Sequence, residues 1–210
     1  MKTTKEEIVN TALRLFAQRG FDGVSTGDIA RQLGITKGAL YRHFESKQAI
    51  FDAILARMTE LDAQRADDSN VPEKTYEEDA ESYRQTELRD LCGFLCSQFD
   101  FWTQDPFAAD FRRLMILAQY RSPQMSRLCQ DTLFAGPVLY SADVFRELAA
   151  AGRLSPEAAA ADPQDLAVQL FAPLALMLQM FDGGADPAEL KGRLERITKE
   201  NEDRWTWQGR

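Results

Sequence analysis

The sequence predicts an all-α protein, with an N-terminal helix-turn-helix head and a larger C-terminal helical body, about nine helices together. Three observations predict it. Apolar residues recur at three- and four-residue intervals along most of the 210 residues, and no stretch alternates convincingly with period two. Helix-start signals repeat, in the pair Thr4 and Glu7 and in aspartate–proline steps at Pro106, Pro163 and Pro187. A polar, acidic stretch over residues 62–87, broken at Pro72, separates two regions of different character and reads as a linker or a frayed helix end. The domains predicted are therefore 1–61 and 62–210.

The first helix follows Thr4, with Ile8, Ala12, Leu15 and Phe16 on its inner face, and it stops at Gly20, with Phe21 as an apolar plug. The second begins near Ser25 or Thr26, either of which can cap it, and Asp28 suits the positive end of its dipole. Gly34-Ile35-Thr36 is a three-residue break. A third helix, Lys37 to Phe44, points Leu40 and Phe44 inward and leaves Lys37, Tyr41 and, in part, Arg42 outward. Ser46 caps a fourth, whose apolar face is Ile50, Phe51, Ile54, Leu55 and Met58. Phe16, Ile29, Leu33, Leu40 and Phe44 form the expected small core. Further helical blocks are predicted at 88–103, 106–120, 123–151, 163–181 and 187–204.

Composition supports a globular chain. It is 44% hydrophobic and 28% charged, with a net charge of −8. The charge is uneven: residues 1–50 carry eight basic against five acidic side chains, and the remainder 17 against 28. A basic head on an acidic body suits an anion-binding module. No signal-peptide pattern is read at the N-terminus, and the longest apolar stretch, Leu166 to Phe181, is interrupted by Gln169, Pro173 and Gln179. It falls short of the ~18 apolar residues of a membrane span. Three cysteines, an odd number, point to a reducing cytoplasm.

A helix, a glycine-containing turn and a short helix with a polar outer face, over about 25–44, make a helix-turn-helix. The DNA major groove admits one such helix, and the short side chains of Gly38 and Ala39 let it approach closely. Residues 24–55, VSTGDIARQLGITKGALYRHFESKQAIFDAIL, resemble the DNA-binding domain of the TetR family of bacterial repressors. The resemblance rests on Thr26, Ile29-Ala30, Gly34-Ile35-Thr36, Gly38, Leu40-Tyr41, His43-Phe44 and Ser46-Lys47, in fixed order and spacing. It implies that Lys37 and Ala39 face bases, that Tyr41 and His43 hold phosphates, and that Thr26 and Thr36 make helix-start contacts. Lys47 matches the phosphate-binding start of the fourth helix. Arg42 falls where the family varies, and both a base contact and a phosphate contact stay open.

In the body, an aromatic-rich region suits either core packing or an apolar pocket. The pocket candidates are Phe94, Phe99, Trp102, Met115, Tyr120 and Phe134. The resemblance implies a small effector there, of aromatic or aliphatic bulk. Cys92 and Cys96 share a helix face and read as buried structural thiols, since no second histidine completes a metal site. The block 165–181 is apolar nearly all round and must be covered on most sides. By resemblance, Leu166, Leu170, Leu174, Met177, Leu178 and Phe181, with Leu190, Leu194 and Ile197, form a four-helix homodimer interface; Pro173 departs from an uninterrupted helix and is expected to kink it. The expected function is a ligand-responsive homodimeric repressor at a palindromic operator. The alternative is a DNA-binding protein whose body recruits a protein partner. One histidine, with no nucleophile–base constellation, phosphate-binding glycine loop or metal spacing, argues against an enzyme and against any cofactor.

Overall fold

The computed structural model describes residues 3–207. Its helices are α1 (Lys5–Arg19), α2 (Thr26–Gln32), α3 (Lys37–Tyr41), α4 (Lys47–Asp68), α5 (Ala80–Gln85), α6 (Leu88–Gln104), α7 (Pro106–Ala118), α8 (Pro123–Leu133), α9 (Ala135–Ala150), α10 (Pro156–Ala159), α11 (Pro163–Asp182) and α12 (Pro187–Trp205). The described residues contain no strand, only an isolated bridge between Leu154 and Thr206. The all-α prediction holds, with three helices more than expected: α5, α10 and the division of the 123–151 block into α8 and α9.

These helices form two compact units. The first takes residues up to Leu61 together with Asp105–Cys129, and the second Asp62–Gln104 with the chain from Gln130 onward. The sequence gives the boundary at 62 a visible mark in composition. Nothing in it shows that α7 groups with the head.

The first unit is built on α1, whose capping box is complete: Thr4 Oγ1 accepts from the Glu7 amide at 3.1 Å and Glu7 Oε2 accepts from the Thr4 amide at 2.8 Å. Gly20 closes the helix at φ 71°, a conformation that costs a side chain energy. Ile8, Phe16, Ile29, Leu40, Ile50 and Ile54 are fully covered, whereas Leu33 is half-buried. α7 lies along α1 through Ala108, Phe111, Leu114 and Met115. Arg57 on α4 ties the same unit from another side, donating to Glu6 at 3.1 Å and Asn10 at 3.2 Å and stacking over Phe107 at 4.6 Å.

In the second unit α11 packs against α6, α9 and α12. The acidic stretch read as a linker is partly ordered here. α4 runs on to Asp68, and Tyr76, Tyr83 and Tyr140 meet edge to face at 5.3 and 5.6 Å. The Tyr76 hydroxyl donates to Glu147 at 2.5 Å and that of Tyr83 to the Lys74 carbonyl at 2.9 Å. Two tyrosines thus order a segment whose polarity alone suggests none. The block expected at 123–151 divides at Phe134 (φ −136°, ψ −81°). Pro137 supplies the reason, since it has no N–H for the Leu133 carbonyl and its ring crowds that turn. α11, by contrast, continues through Pro173.

By length and composition alone α11 reaches the lower limit for a membrane-crossing helix, a test that the core helix of a globular protein also passes. Here its inner side chains, Leu166, Ala167, Leu170, Leu174 and Met177, are covered by neighbouring helices. After α12 the chain is clasped to the segment following α9: Ser155 N–H donates to the Trp205 carbonyl at 2.7 Å and Trp207 N–H to that of Arg153 at 3.2 Å. Trp205 is buried edge-on against Phe145.

Cys92 and Cys129 pack as apolar residues, whereas Cys96, expected to be buried, is only half-buried. Cys92 and Cys129 are buried, and burial pushes the Cys92 thiol up to about 12 and the Cys129 thiol above its ordinary value. Because the thiolate is the reactive form, iodoacetamide at about pH 8 is expected to leave both unlabelled in the folded protein and to label them in denaturant. Mass spectrometry reads this directly; fast native labelling of Cys92 would show that the second unit opens around α6.

Candidate nucleic-acid interface

Ser25, not Thr26, caps α2. Its Oγ accepts from the Asp28 amide at 3.1 Å, while the Asp28 carboxylate accepts from the Ser25 amide at 2.9 Å and hydroxyl at 2.5 Å. Those hydrogen bonds from Ser25, and a weaker contribution from Arg31, hold the Asp28 carboxyl at about 2, against an ordinary 3.8. Capping by Ser25 leaves the Thr26 hydroxyl for other work. It lies 3.2 Å from the Tyr41 hydroxyl, joining the start of α2 to the end of α3.

Gly34 at φ 67° makes the turn, and the Ile35 amide donates back to the Ala30 carbonyl at 3.0 Å. Thr36 then caps α3, its Oγ1 accepting from the Ala39 amide at 3.1 Å. α3 is shorter than predicted. The amides of His43 and Phe44 both reach the Leu40 carbonyl, so the helix ends in a tightened turn. Lys37, Gly38, Tyr41 and Arg42 are exposed, and their spacing puts them on one side of this short helix. Ala39 and His43 are half-buried. A side chain added at Gly38 would meet nothing closer than Thr36 Oγ1 at 3.9 Å, so the helix start is open to a large partner. Lys37 lies across Gly27: a methyl there would come within 2.6 Å of the lysine Cε and displace it.

Lys47 is placed differently from its neighbours in the motif. Its ammonium donates to the carbonyls of Phe21 and Val24, both at 2.8 Å, and sits 4.2 Å from the centre of the Phe21 ring. Two of its three N–H donors are spent on the α1–α2 loop. The structure thus gathers Thr26, Lys37, Gly38 and Tyr41, with Arg42 beside them, and assigns Lys47 to holding the loop behind. Gly27 and the carbonyls of Phe21 and Val24 were missed. A backbone acceptor carries no sequence signal, and Gly27 matters only through Lys37.

The family model for bacterial regulatory proteins of the tetR family matches residues 8–54. Over those residues the head is similar to the DNA-binding domain of tetR-family regulators. Over 50 residues the chain is 48% identical to the HTH-type transcriptional regulator YerO of Bacillus subtilis, covering 24% of this chain and 17% of that one. Over 51 residues it is 45% identical to the HTH-type transcriptional regulator AcrR of Shigella flexneri, covering 24% of each. The chain thus spans about a quarter or less of the curated relatives it matches, and the likeness is to their heads. Across the whole chain, the TetR fold is shared with SmeT in complex with triclosan, at TM-score 0.72 and 19% identity, covering 98% of this chain and 92% of that one. These relatives are regulators, not enzymes.

The other candidate residues are divided between the two units. Phe99 and Trp102 are buried in the second unit, and Phe94 lies under the Arg65 guanidinium at 5.5 Å. Met115 is buried in the first unit, Tyr120 is 87% exposed there, and Phe134 stands half-buried at the head of α9. A cleft of about 440 Å³ in the second unit includes Asp67, Glu73, Asp79 and Asp90 among its lining residues and none of the six. The residues assigned to a homodimer interface are also relocated: Leu166, Leu170, Leu174, Met177, Leu178, Leu190 and Leu194 are core, and Phe181 and Ile197 are half-buried. On a helix apolar all round, the face that packs inward is not the one left for a partner.

The stability lent by the Ser25–Asp28 cap is complete above the ordinary carboxylate value of 3.8 and is lost as pH falls through about 2. Ser25→Ala is expected to return the Asp28 carboxyl toward 3.8 and to lower the melting temperature by roughly 2–4 °C. NMR titration of Asp28 checks it; an unmoved carboxyl would mean that the cap does not govern it.

Proposed function

We propose that the protein is a cytoplasmic, homodimeric repressor that binds a palindromic DNA operator and is released by a small effector. The observation that carries this reading is the outward group on α3, Lys37, Gly38, Tyr41 and Arg42, with Thr26 bridged to Tyr41, on a basic TetR-type head. Lys37, extended from the first turn of α3, reaches base edges. Gly38 and Ala39 let the helix seat in the groove. Tyr41, Thr26 and His43 hold phosphate, and the amides at the start of α3 add donors, with Thr36 fixing that start. Arg42 takes whichever of base or phosphate its groove position offers. Lys47 acts chiefly by fixing the loop.

A two-fold operator requires two heads. The surface that supports a dimer is the outward side of α11, where Val168, Ala172, Leu176 and Met180 recur every fourth residue and three of them are 41–57% exposed. A second copy seated there would bury a continuous apolar strip. For the effector, support comes from the buried Tyr140 hydroxyl, which has no hydrogen-bond partner among the described residues and stands beside Tyr83. An apolar molecule with one polar group suits that place. SmeT, of the same fold, is the repressor of a Stenotrophomonas maltophilia multidrug efflux pump. A second reading, recruitment of a protein partner, draws on the exposed Leu117 and Tyr120 in the first unit.

Selection of bound DNA from a random pool is expected to return a palindromic consensus; no consensus would refute sequence-specific binding by a dimer. On that DNA, Tyr41→Phe is expected to weaken binding alike on all sequences, whereas Lys37→Ala changes the preference among them. Raising salt from about 50 to about 200 mM should cost a few orders of magnitude in affinity. Sedimentation separates the two faces of α11. Leu176→Glu with Met180→Glu is expected to give a folded monomer, and Leu170→Ala a dimer destabilised by about 2–5 kcal/mol. A dimer that survives the double glutamate variant removes this face from the interface.

A further inference from the structure

The α1–α2 loop, residues 20–25, is the segment from which α2, and through α2 the recognition helix, is hung. It is short and glycine-flanked, so its course depends on what grips it. Lys47 grips its carbonyls at Phe21 and Val24. The Phe21 ring is fixed by Phe16 at 5.1 Å, by Phe51 edge-on at 5.3 Å and by the Lys47 ammonium. A further cation reaches the same ring from a place far away in sequence. Arg121, in the turn after α7, stacks over Phe21 at 4.9 Å and at the same time donates through Nε and Nη2 to both carboxylate oxygens of Asp22, each at 2.6 Å.

We infer that Arg121 is a positioning residue for DNA binding: it holds Phe21 and Asp22, and thereby the start of α2, in the arrangement that presents Thr26, Tyr41 and Lys37. The inference rests on the DNA-binding reading above and adds a residue that lies outside the matched motif. The geometry is more specific than a surface ion pair. A planar fork meets a carboxylate with two hydrogen bonds while its central carbon lies over the adjoining ring at 4.9 Å, so two consecutive loop residues are oriented by one side chain. From there the connection is covalent and short. Val24 is fully buried with its carbonyl on Lys47, Ser25 caps α2, and Thr26 meets Tyr41. Lysine could supply the charge at 121 but not the fork. All these groups belong to the first unit.

The test uses the full chain and the DNA that the wild type selects. Asp22 is 72% exposed, so removing it spares the core. By bulk electrostatics alone, Asp22→Ala removes a negative charge from a DNA-binding unit and should tighten binding. Positioning reverses the sign. Asp22→Ala is expected to weaken binding roughly threefold to tenfold, Arg121→Ala to weaken it to a similar degree, and the double variant no further. Arg121→Lys should recover only part of the loss. The slope of log affinity against log salt should stay that of the wild type in Arg121→Ala.

Tighter or unchanged binding by Asp22→Ala overturns the inference. So does a salt slope reduced by about one in Arg121→Ala, which would make Arg121 a phosphate contact in its own right. Melting temperatures of the variants, expected close to the wild type, exclude unfolding as the source of any loss. A wild type that selects no DNA defeats the DNA-binding reading itself; a wild type that binds, with variants that bind equally, defeats only the role of Arg121.

Discussion

The presentation of the recognition helix depends on one ammonium group. Lys47 places two hydrogen bonds on the carbonyls of a loop that has no regular structure to satisfy them. Without them the Phe21 carbonyl would keep only a 3.4 Å bond from the Val24 amide, and a covered carbonyl left short of partners costs more than the bonds gain. The lysine also covers one side of Phe21, so a single side chain satisfies polar atoms and packs an aromatic ring. With the loop fixed, Ser25 falls at the cap of α2. With the cap on Ser25, the Thr26 hydroxyl is left for Tyr41. Each of these later steps follows from the previous one by chain connectivity, while Arg121 holds the same loop at Phe21 and Asp22.

The features legible in the sequence are those set locally. The capping box of α1, the aspartate–proline starts and the glycine at position 34 involve residues within four of each other, and they appear where the pattern puts them. Even here one ambiguity was real. Ser25 and Thr26 are both good caps, and only the hydrogen bonds distinguish them. Features that depend on distant partners were not legible. α5 and the stretch before it add to local caps at Thr75 and Asp79 the tyrosines that meet α9, and these distant partners do not show in the sequence. Lys47 reads as a phosphate ligand because its position matches such ligands, while its bonds go to carbonyls that the sequence does not display. The grouping of α7 with α1 is a choice of partner among several helices with similar apolar faces.

α11 shows a different limit. Its hydrophobic residues occupy nearly every direction, so the 3.6-residue period that normally separates core from surface has little contrast. Leu170 and Leu176 are chemically the same and lie six residues apart, one fully covered and the other more than half exposed. The assignment of faces comes from what α6, α9 and α12 cover. The outward remainder is a strip of four side chains, Val168, Ala172, Leu176 and Met180, beside the exposed Gln164, Gln169 and Gln179.

The clasp between the segment after α9 and the end of α12 has a consequence for how the second unit opens. Two main-chain hydrogen bonds and the buried Trp205 ring join residues 153–155 to 205–207, so α10, α11 and α12 form one closed loop of chain. Hydrogen exchange in such a loop is cooperative. While the clasp is shut, the helices inside it cannot peel away one at a time from a free end. Once it is open, the chain beyond α9 loses its tether and its protection together.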